Sequence, residues 1–291
     1  MADTEPRPRK VAVGEFDGVH LGHREVIRGA DTVLTFDPHP VAVVRPEVAP
    51  KLLTSLPVKA DLVASLGVQE MVVVPFDADF AAQTPGEFIE DVLVRRLQAT
   101  HVAVGENFRF GRKAAGDAAL LAQQRSFATR VVPLVEADDE VVSSTHIRGL
   151  VVAGEVDDAA RFLGAPFQLR GRVVEGDRRG RELGYPTANI VPDDAIVCPG
   201  YGVYACLADD RAAAVNVGVR PTFDTGRGVL IEAFILDYEG DLYGHVLRLE
   251  FLERLRGERR FDDVDALIEQ MGRDVVRARA VVRRSASVSW A

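Results

Sequence analysis

Two textures of apolar spacing divide the chain. Up to about residue 163, short apolar runs alternate with stretches of helical spacing, the pattern of a layered α/β domain. Residues 10–16, 32–36, 69–74, 101–104 and 130–135 read as strands, and the apolar run 69–74 suits a parallel strand buried on both faces. A helix is predicted over 58–66, ended by Gly67. Thr84-Pro85-Gly86-Glu87 opens another, with Thr as N-cap, Pro at the first position and Glu completing a capping box. Two more follow, one from Ser144 or Thr145 and one over 156–163.

After Gly164-Ala165-Pro166 the texture changes to short strands separated by Gly, Pro and Asp turns. The clearest are 168–174, 202–207, 212–217, 229–236 and 246–251, a spacing that suggests an antiparallel barrel. One amphipathic helix, N-capped by Asp262 and running to about Val281, closes the chain. The expected domains are therefore 1–165 and 166–291.

Composition narrows the functional classes. The formal charge of −9 disfavours broad nucleic-acid binding, which rests on neutralising phosphates. No apolar run reaches the length of a membrane span, and residues 1–10 lack the apolar core of a secretory signal. A cytoplasmic location without membrane or nucleic-acid partners is the expectation; self-association stays open. Two cysteines, Cys198 and Cys206, are too few for a disulfide framework and read as small apolar residues.

The chemistry-bearing residues of the first half cluster after strands. Gly14-Glu15-Phe16-Asp17-Gly18-Val19-His20-Leu21-Gly22-His23 lies between a strand and a helix, where free backbone N–H groups and the helix dipole receive phosphate. His20 and His23 add donors for charge developing on an attacked phosphorus. Zinc lacks a third ligand here. Thr35-Phe36-Asp37-Pro38-His39-Pro40 follows the next strand, and Gly105-Glu106-Asn107-Phe108-Arg109-Phe110-Gly111 a later one. The two aromatics around Arg109 fit core packing or a grip on a flat heterocycle equally well. Ser143-Ser144-Thr145-His146-Ile147-Arg148 sets N-cap hydroxyls one turn ahead of a base.

In the second half, Gly200-Tyr201-Gly202-Val203-Tyr204-Ala205 matches a dinucleotide fingerprint but runs into β-type sequence, which removes the required context. A stronger signal is the loop containing Gly176, Gly180 and Gly184, followed by Pro186-Thr187-Ala188-Asn189. Such a loop can wrap phosphates with backbone N–H groups. Thr187 and Asn189 sit one strand period apart and offer neutral oxygens suited to Mg²⁺ beside phosphates. Glu232 interrupts an apolar strand, where a carboxylate is costly unless paired or functional.

GEFDGVHLGH with SSTHIR resembles the nucleotidylyltransferase superfamily, and with TFDPHP and GENFRFG it is similar to the adenylyltransferase half of bifunctional prokaryotic riboflavin kinase/FAD synthetases. GRVVEGDRRGRELGYPTAN, NVGVRPTF and IEAFILDYEGDLYG resemble the riboflavin kinase half, as does the tail with Arg254, Phe261, Gln270 and Asp274. The resemblance implies a Rossmann-like nucleotidylyltransferase domain followed by a six-stranded antiparallel barrel with a terminal helix. It implies that riboflavin and ATP give FMN, and that FMN and ATP give FAD and pyrophosphate, with Mg²⁺ as cofactor. By the same resemblance Gly14, Phe16, Asp17, His20, Gly22, His23, Ser144, Thr145 and Arg148 hold ATP in the first half, with His20 and His23 catalytic and Asn107 and Arg109 near FMN. In the second half Gly176, Gly180, Gly184 and Thr187 would bind ATP, Thr187 and Asn189 the metal, and Arg220 the flavin. Glu232 would take the proton of the ribityl 5′-hydroxyl. The chain departs from the family pattern in its 11 residues between His23 and Thr35, a short connection, and in Asn107, where an Asp is common. Two alternatives are a kinase with a weak adenylyltransferase half and a flavin-binding regulator without catalysis.

Overall fold

A computed structural model of the chain describes residues 6–176, 185–219 and 229–286. The chain divides into two compact units, residues 1–51 with 55–144, and residues 52–54 with 145–291.

The first unit is built on strands β1 (Arg9–Val13), β2 (Thr32–Asp37), β3 (Glu70–Pro75) and β4 (Ala99–Gly105). A ribbon of β5 (Arg109–Phe110) and β6 (Gly116–Asp117) precedes the last sheet strand, β7 (Ala128–Val132). A second ribbon, β8 (Glu136–Ala137) and β9 (Glu140–Val141), follows it. The sheet is parallel throughout, in the order β3-β2-β1-β4-β7. Alternation sorts the residues of β1 to the two faces: Val11 and Val13 join one apolar core with Phe88 and Leu93, while Ala12 joins another with Val26, Ile27 and Val63. Both faces are thus covered. Strand order reverses at β1, whose neighbours are β2 and β4, so the crevice beyond its carboxyl end is the place where such sheets bind ligands.

The predicted capping box at Thr84 and Glu87 is present in full. The first strand ends three residues earlier than expected, because Phe16 takes a left-handed backbone (φ 52°) that no strand accommodates. The following helix, Leu21–Ile27, starts before His23, since His20 serves as its N-cap.

The second unit is a closed six-stranded antiparallel barrel. Its strands are β10 (Phe167–Val174), β11 (Ala188–Pro192), β12 (Gly202–Ala208), β13 (Arg211–Val219), β14 (Val229–Ile235) and β15 (Val246–Arg256). They close in the order β10-β11-β14-β13-β12-β15. Leu169, Ile190, Tyr204, Val215, Ile231 and Leu249 are buried and fill the interior, as cross-strand pairs such as Leu169 with Leu249 and Val217 with Ile231 require. The fingerprint at Gly200 runs into β12, which confirms its rejection. The C-terminal helix, Val264–Ser285, covers Val203, Ala205 and Ala214 from outside with Ala278 and Val281. Its N-cap is Asp263, one residue later than expected, whose carboxylate accepts from Ala266 N at 2.8 Å.

The helices Ser144–Ala153 and Val156–Leu163 fall in the second unit, whereas the change in texture alone placed them in the first. Val156, Ala159, Ala160 and Leu163 form one buried helical stripe, and this helix packs on β15 and β10. Gly164 ends it in the left-handed conformation (φ 70°).

Candidate active sites

In the first unit the loop from Gly14 to Val19 leaves β1 and delivers the start of helix Leu21–Ile27. Phe16 (φ 52°) and Val19 (φ 44°) both hold left-handed backbones, costly for an aromatic and a β-branched residue. The Phe16 ring is buried in the core and meets His23 edge-on, so only its backbone is available to a ligand. Asp17 is also buried. His20 and His23 stack with ring centroids 3.5 Å apart. His20 Nδ1 accepts from His23 N at 3.3 Å, which assigns the neutral ring's proton to Nε2 and leaves that atom a donor.

Burial pushes the His20 imidazole down to about 4, against a backbone hydrogen bond that opposes it. His23 is pushed well below the usual value, first by burial and then by His20 and Lys59. Both rings are neutral at pH 7, able to donate to phosphate without a fixed positive charge. His23 Nδ1 is sealed from solvent and has no hydrogen-bond partner among the described residues. Ser144 Oγ donates to Asp17 O at 2.9 Å, which brings the first serine of the helical N-cap cluster onto this loop. Thr145 and Arg148 continue the same helix, on the part whose contacts belong to the second unit.

Two features here escaped the sequence reading. Lys59, 5% exposed, donates from Nζ to Glu15 O at 2.6 Å and to Thr35 Oγ1 at 3.3 Å. Its signal was legible: it falls on the buried stripe of helix Leu56–Ser65 with Val63, one turn on, where a charge is out of place. The second is the Glu15 carboxyl. Burial pushes it up to about 8, with Lys59 opposing and Asp17 and Asp37 reinforcing. Its Oε1 is buried without a hydrogen-bond partner among the described residues.

Other predicted residues divide. His39 is a cap, its Nδ1 accepting from Val41 N at 3.2 Å, and the peptide before Pro38 is cis. Phe110 belongs to the core against Phe88, stacked on half-buried Phe108 (5.6 Å). Core packing therefore accounts for Phe110, while Asn107 and Arg109 are exposed.

In the barrel, strand register assembles the second site. Asn189 pairs with Glu232, Glu232 with Asn216, Asn216 with Val203, and Val203 with Arg256, a row running across five strands on the outer face. Asn216 Nδ2 donates to Glu232 Oε2 at 3.3 Å. The apolar neighbours of Glu232 in sequence, Ile231 and Ala233, point to the barrel interior and leave Glu232 half-buried. The carboxylate thus sits on a polar face rather than in an apolar pocket, a correction to the sequence reading made by simple alternation.

Two cavities flank this row. One of about 660 Å³ lies under the C-terminal helix and is lined by Glu232, Asn216, Thr187, Arg256, Phe261 and Asp274. Asp274, buried, pairs with Arg256 (2.8 Å) and accepts from Gln270 (2.8 Å). The other, about 600 Å³, is lined by Gly176, Thr187, Asn189, Tyr238, Asp241 and Tyr243. Thr187 borders both. A Cβ at Gly176 would lie 2.1 Å from Asn189 Nδ2, so this glycine admits the amide. Gly180, Gly184 and Arg220 lie outside the described residues. No cluster of three or more His, Cys, Asp or Glu able to hold a metal occurs among the described residues, which leaves the neutral oxygens of Thr187 and Asn189 as the donors that suit Mg²⁺.

A parallel sheet with neutral histidines at a helix start, joined in one chain to a closed barrel with paired cavities around a carboxylate, defines a two-domain enzyme of phosphoryl and nucleotidyl transfer. Residues 2–146 match the FAD synthetase family and residues 163–282 the riboflavin kinase family. The chain belongs to the bifunctional riboflavin kinase/FMN adenylyltransferase family. It is 36% identical to the Listeria monocytogenes member, over 93% of this chain and 91% of that one. The Escherichia coli K12 member is 36% identical over 92% and 91%. A crystal structure described as a macrolide-efflux protein from Streptococcus pneumoniae superposes with a TM-score of 0.86 at 32% identity, over 95% of this chain and 96% of that one. It supports the fold of the whole chain; efflux is said of that protein alone. No helix among the described residues is long and apolar enough to cross a membrane.

Proposed function

We propose that the chain phosphorylates riboflavin to FMN in its second half and adenylylates FMN to FAD in its first, the halves drawn at 1–165 and 166–291. Family membership over nearly the full length supports both activities. One observation carries the assignment of residues: strand register sets Glu232 beside Asn189, with a flavin-sized cavity on one side and a second cavity on the other.

In the kinase reaction the ribityl 5′-hydroxyl loses its proton to the Glu232 carboxylate while its oxygen bonds to the γ-phosphorus of ATP. The bond to the bridging oxygen breaks and ADP leaves. Asn216 donates to Glu232 and orients it. Gly176, with Gly180 and Gly184, binds ATP; Arg220 assists flavin binding. Mg²⁺, held by Thr187 and Asn189, would neutralise phosphate charge when bound.

In the second reaction an FMN phosphate oxygen attacks the α-phosphorus and pyrophosphate leaves. His20 and His23 donate to the charge that develops there. The backbone around Gly14, Phe16, Asp17 and Gly22, with Ser144, Thr145 and Arg148, binds the triphosphate. Asn107 and Arg109 meet FMN. A cytoplasmic location, with flavins and ATP as small-molecule partners and self-association allowed, completes the reading.

The test is incubation with Mg-ATP and riboflavin or FMN, with chromatographic separation of the flavins. FAD is expected from both substrates. Glu232→Gln should abolish FMN formation yet leave FAD formation from FMN intact, and His20→Ala should do the reverse. Undiminished kinase turnover in Glu232→Gln would refute its role as base. FMN from riboflavin with no FAD from either would leave a kinase only.

A further inference from the structure

The loop that carries His20 and His23 is strained at two non-glycine residues, and such strain persists only where surroundings over-determine the backbone. One clamp is Ser144 Oγ on Asp17 O. The other is a three-way knot. Thr35 Oγ1 donates to Glu15 O at 3.0 Å, and Lys59 Nζ donates both to Glu15 O at 2.6 Å and to Thr35 Oγ1 at 3.3 Å. Three elements meet there: the loop after β1, strand β2 and helix Leu56–Ser65. Thr35 is fully buried and Lys59 nearly so, so water cannot substitute for these bonds.

The chemistry singles out Lys59 within the knot. Burial disfavours its ammonium, and the charges of Glu15, Asp17 and Asp37 favour it. An aliphatic stem in the core with an ammonium placed on a backbone carbonyl is a costly way to fill space; Leu or Met would pack there without desolvating a charge. What the ammonium adds is a charge-assisted hydrogen bond on the residue immediately before the strained Phe16.

The geometry points to Lys59 as a positioning residue for adenylyl transfer: through Glu15 O and Thr35 it fixes the loop that presents His20 and His23 to the phosphates. It acts through the histidines and touches no substrate. This inference rests on the reading of His20 and His23 as the phosphate-holding pair.

The test uses the full chain and measures FAD formation from FMN with FMN and Mg-ATP varied, beside FMN formation from riboflavin. In Lys59→Met the knot loses its donor, and kcat for FAD formation should fall about 10- to 100-fold, as sub-ångström to ångström misplacement of catalytic groups does. KM for FMN should change less than about threefold, and the kinase reaction should stay at the wild-type rate. Lys59→Arg keeps a cationic donor and should recover at least about a tenth of the lost turnover. Where Lys59→Met does not fold, the same kcat criterion is read on Lys59→Gln. A kcat within twofold of wild type overturns the inference, as does a loss that Lys59→Arg does not relieve at all. His20→Ala is measured in parallel. If it leaves FAD formation intact, the underlying reading fails; if it abolishes FAD formation while Lys59→Met does not, only the role of Lys59 fails.

Discussion

Glu15→Gln tests the electrostatics of the first site without touching a proposed ligand group. The Glu15 carboxyl is faced by Lys59, Asp17 and Asp37, and burial raises it from 4.5 to about 8. Between those two values the folded protein keeps a proton that the unfolded chain has released. Stability is therefore fully present below about pH 4.5 and is lost progressively as pH rises to about 8. The shift corresponds to a ceiling of about 5 kcal/mol across that window. Gln matches the shape and charge of the protonated carboxyl, so Lys59 loses no counter-charge over most of this range. The variant should equal wild type near pH 5 and be more stable by several kcal/mol, roughly 2 to 5, at pH 8. Urea unfolding followed by far-UV circular dichroism at pH 5, 6, 7 and 8 reads this directly. A difference between the two proteins that stays constant across the series would refute the assignment.

Two further outcomes are expected. His20 is depressed to about 4, so the unfolded chain takes up a proton that the folded ring refuses; stability is full above about pH 6.5 and is lost as pH falls toward 4. His20→Asn should flatten that acid limb by about 3 kcal/mol, measured in the same titration. Gly176→Ala would place a methyl on the Asn189 amide and turn it away. Kinase turnover should fall about tenfold with FAD formation from FMN unchanged, a result read from the flavin chromatogram.

Local rules served the sequence reading well where a local cause decides the structure. The Thr84 capping box and the helix Val156–Leu163 with its stripe and Gly164 cap stand where the spacing put them. Three failures share one origin, in that the deciding partner lies far along the chain. β11 was not among the clear strands because Asn189 and Pro192 are poor strand formers; pairing with β10 and β14 overrides that. The setting of Glu232 was misjudged because neighbours in sequence are not neighbours on a strand face. Glu15 and Lys59 lie 44 residues apart, and neither means much until helix Leu56–Ser65 docks on the sheet. The boundary shift has the same cause, since the contacts of Val156–Leu163 are with β15 and β10.

The seven-residue helix Leu21–Ile27 is far shorter than any helix that persists by itself in water. Its exit is held from a distance: the Arg130 guanidinium on β7 donates to the carbonyls of Glu25, Val26 and Arg28, the last across 102 residues. Since β7 is the edge strand that completes the sheet, the phosphate-facing turn has a folding schedule. Both histidines emerge early from the ribosome, yet they acquire their arrangement only when the final strand docks. A fragment ending before Ala128 would contain every residue of the HxGH turn and none of its order. The short connection after His23 is thus made workable by a contact of very high sequence separation, and it binds the maturation of the catalytic turn to that of the whole sheet.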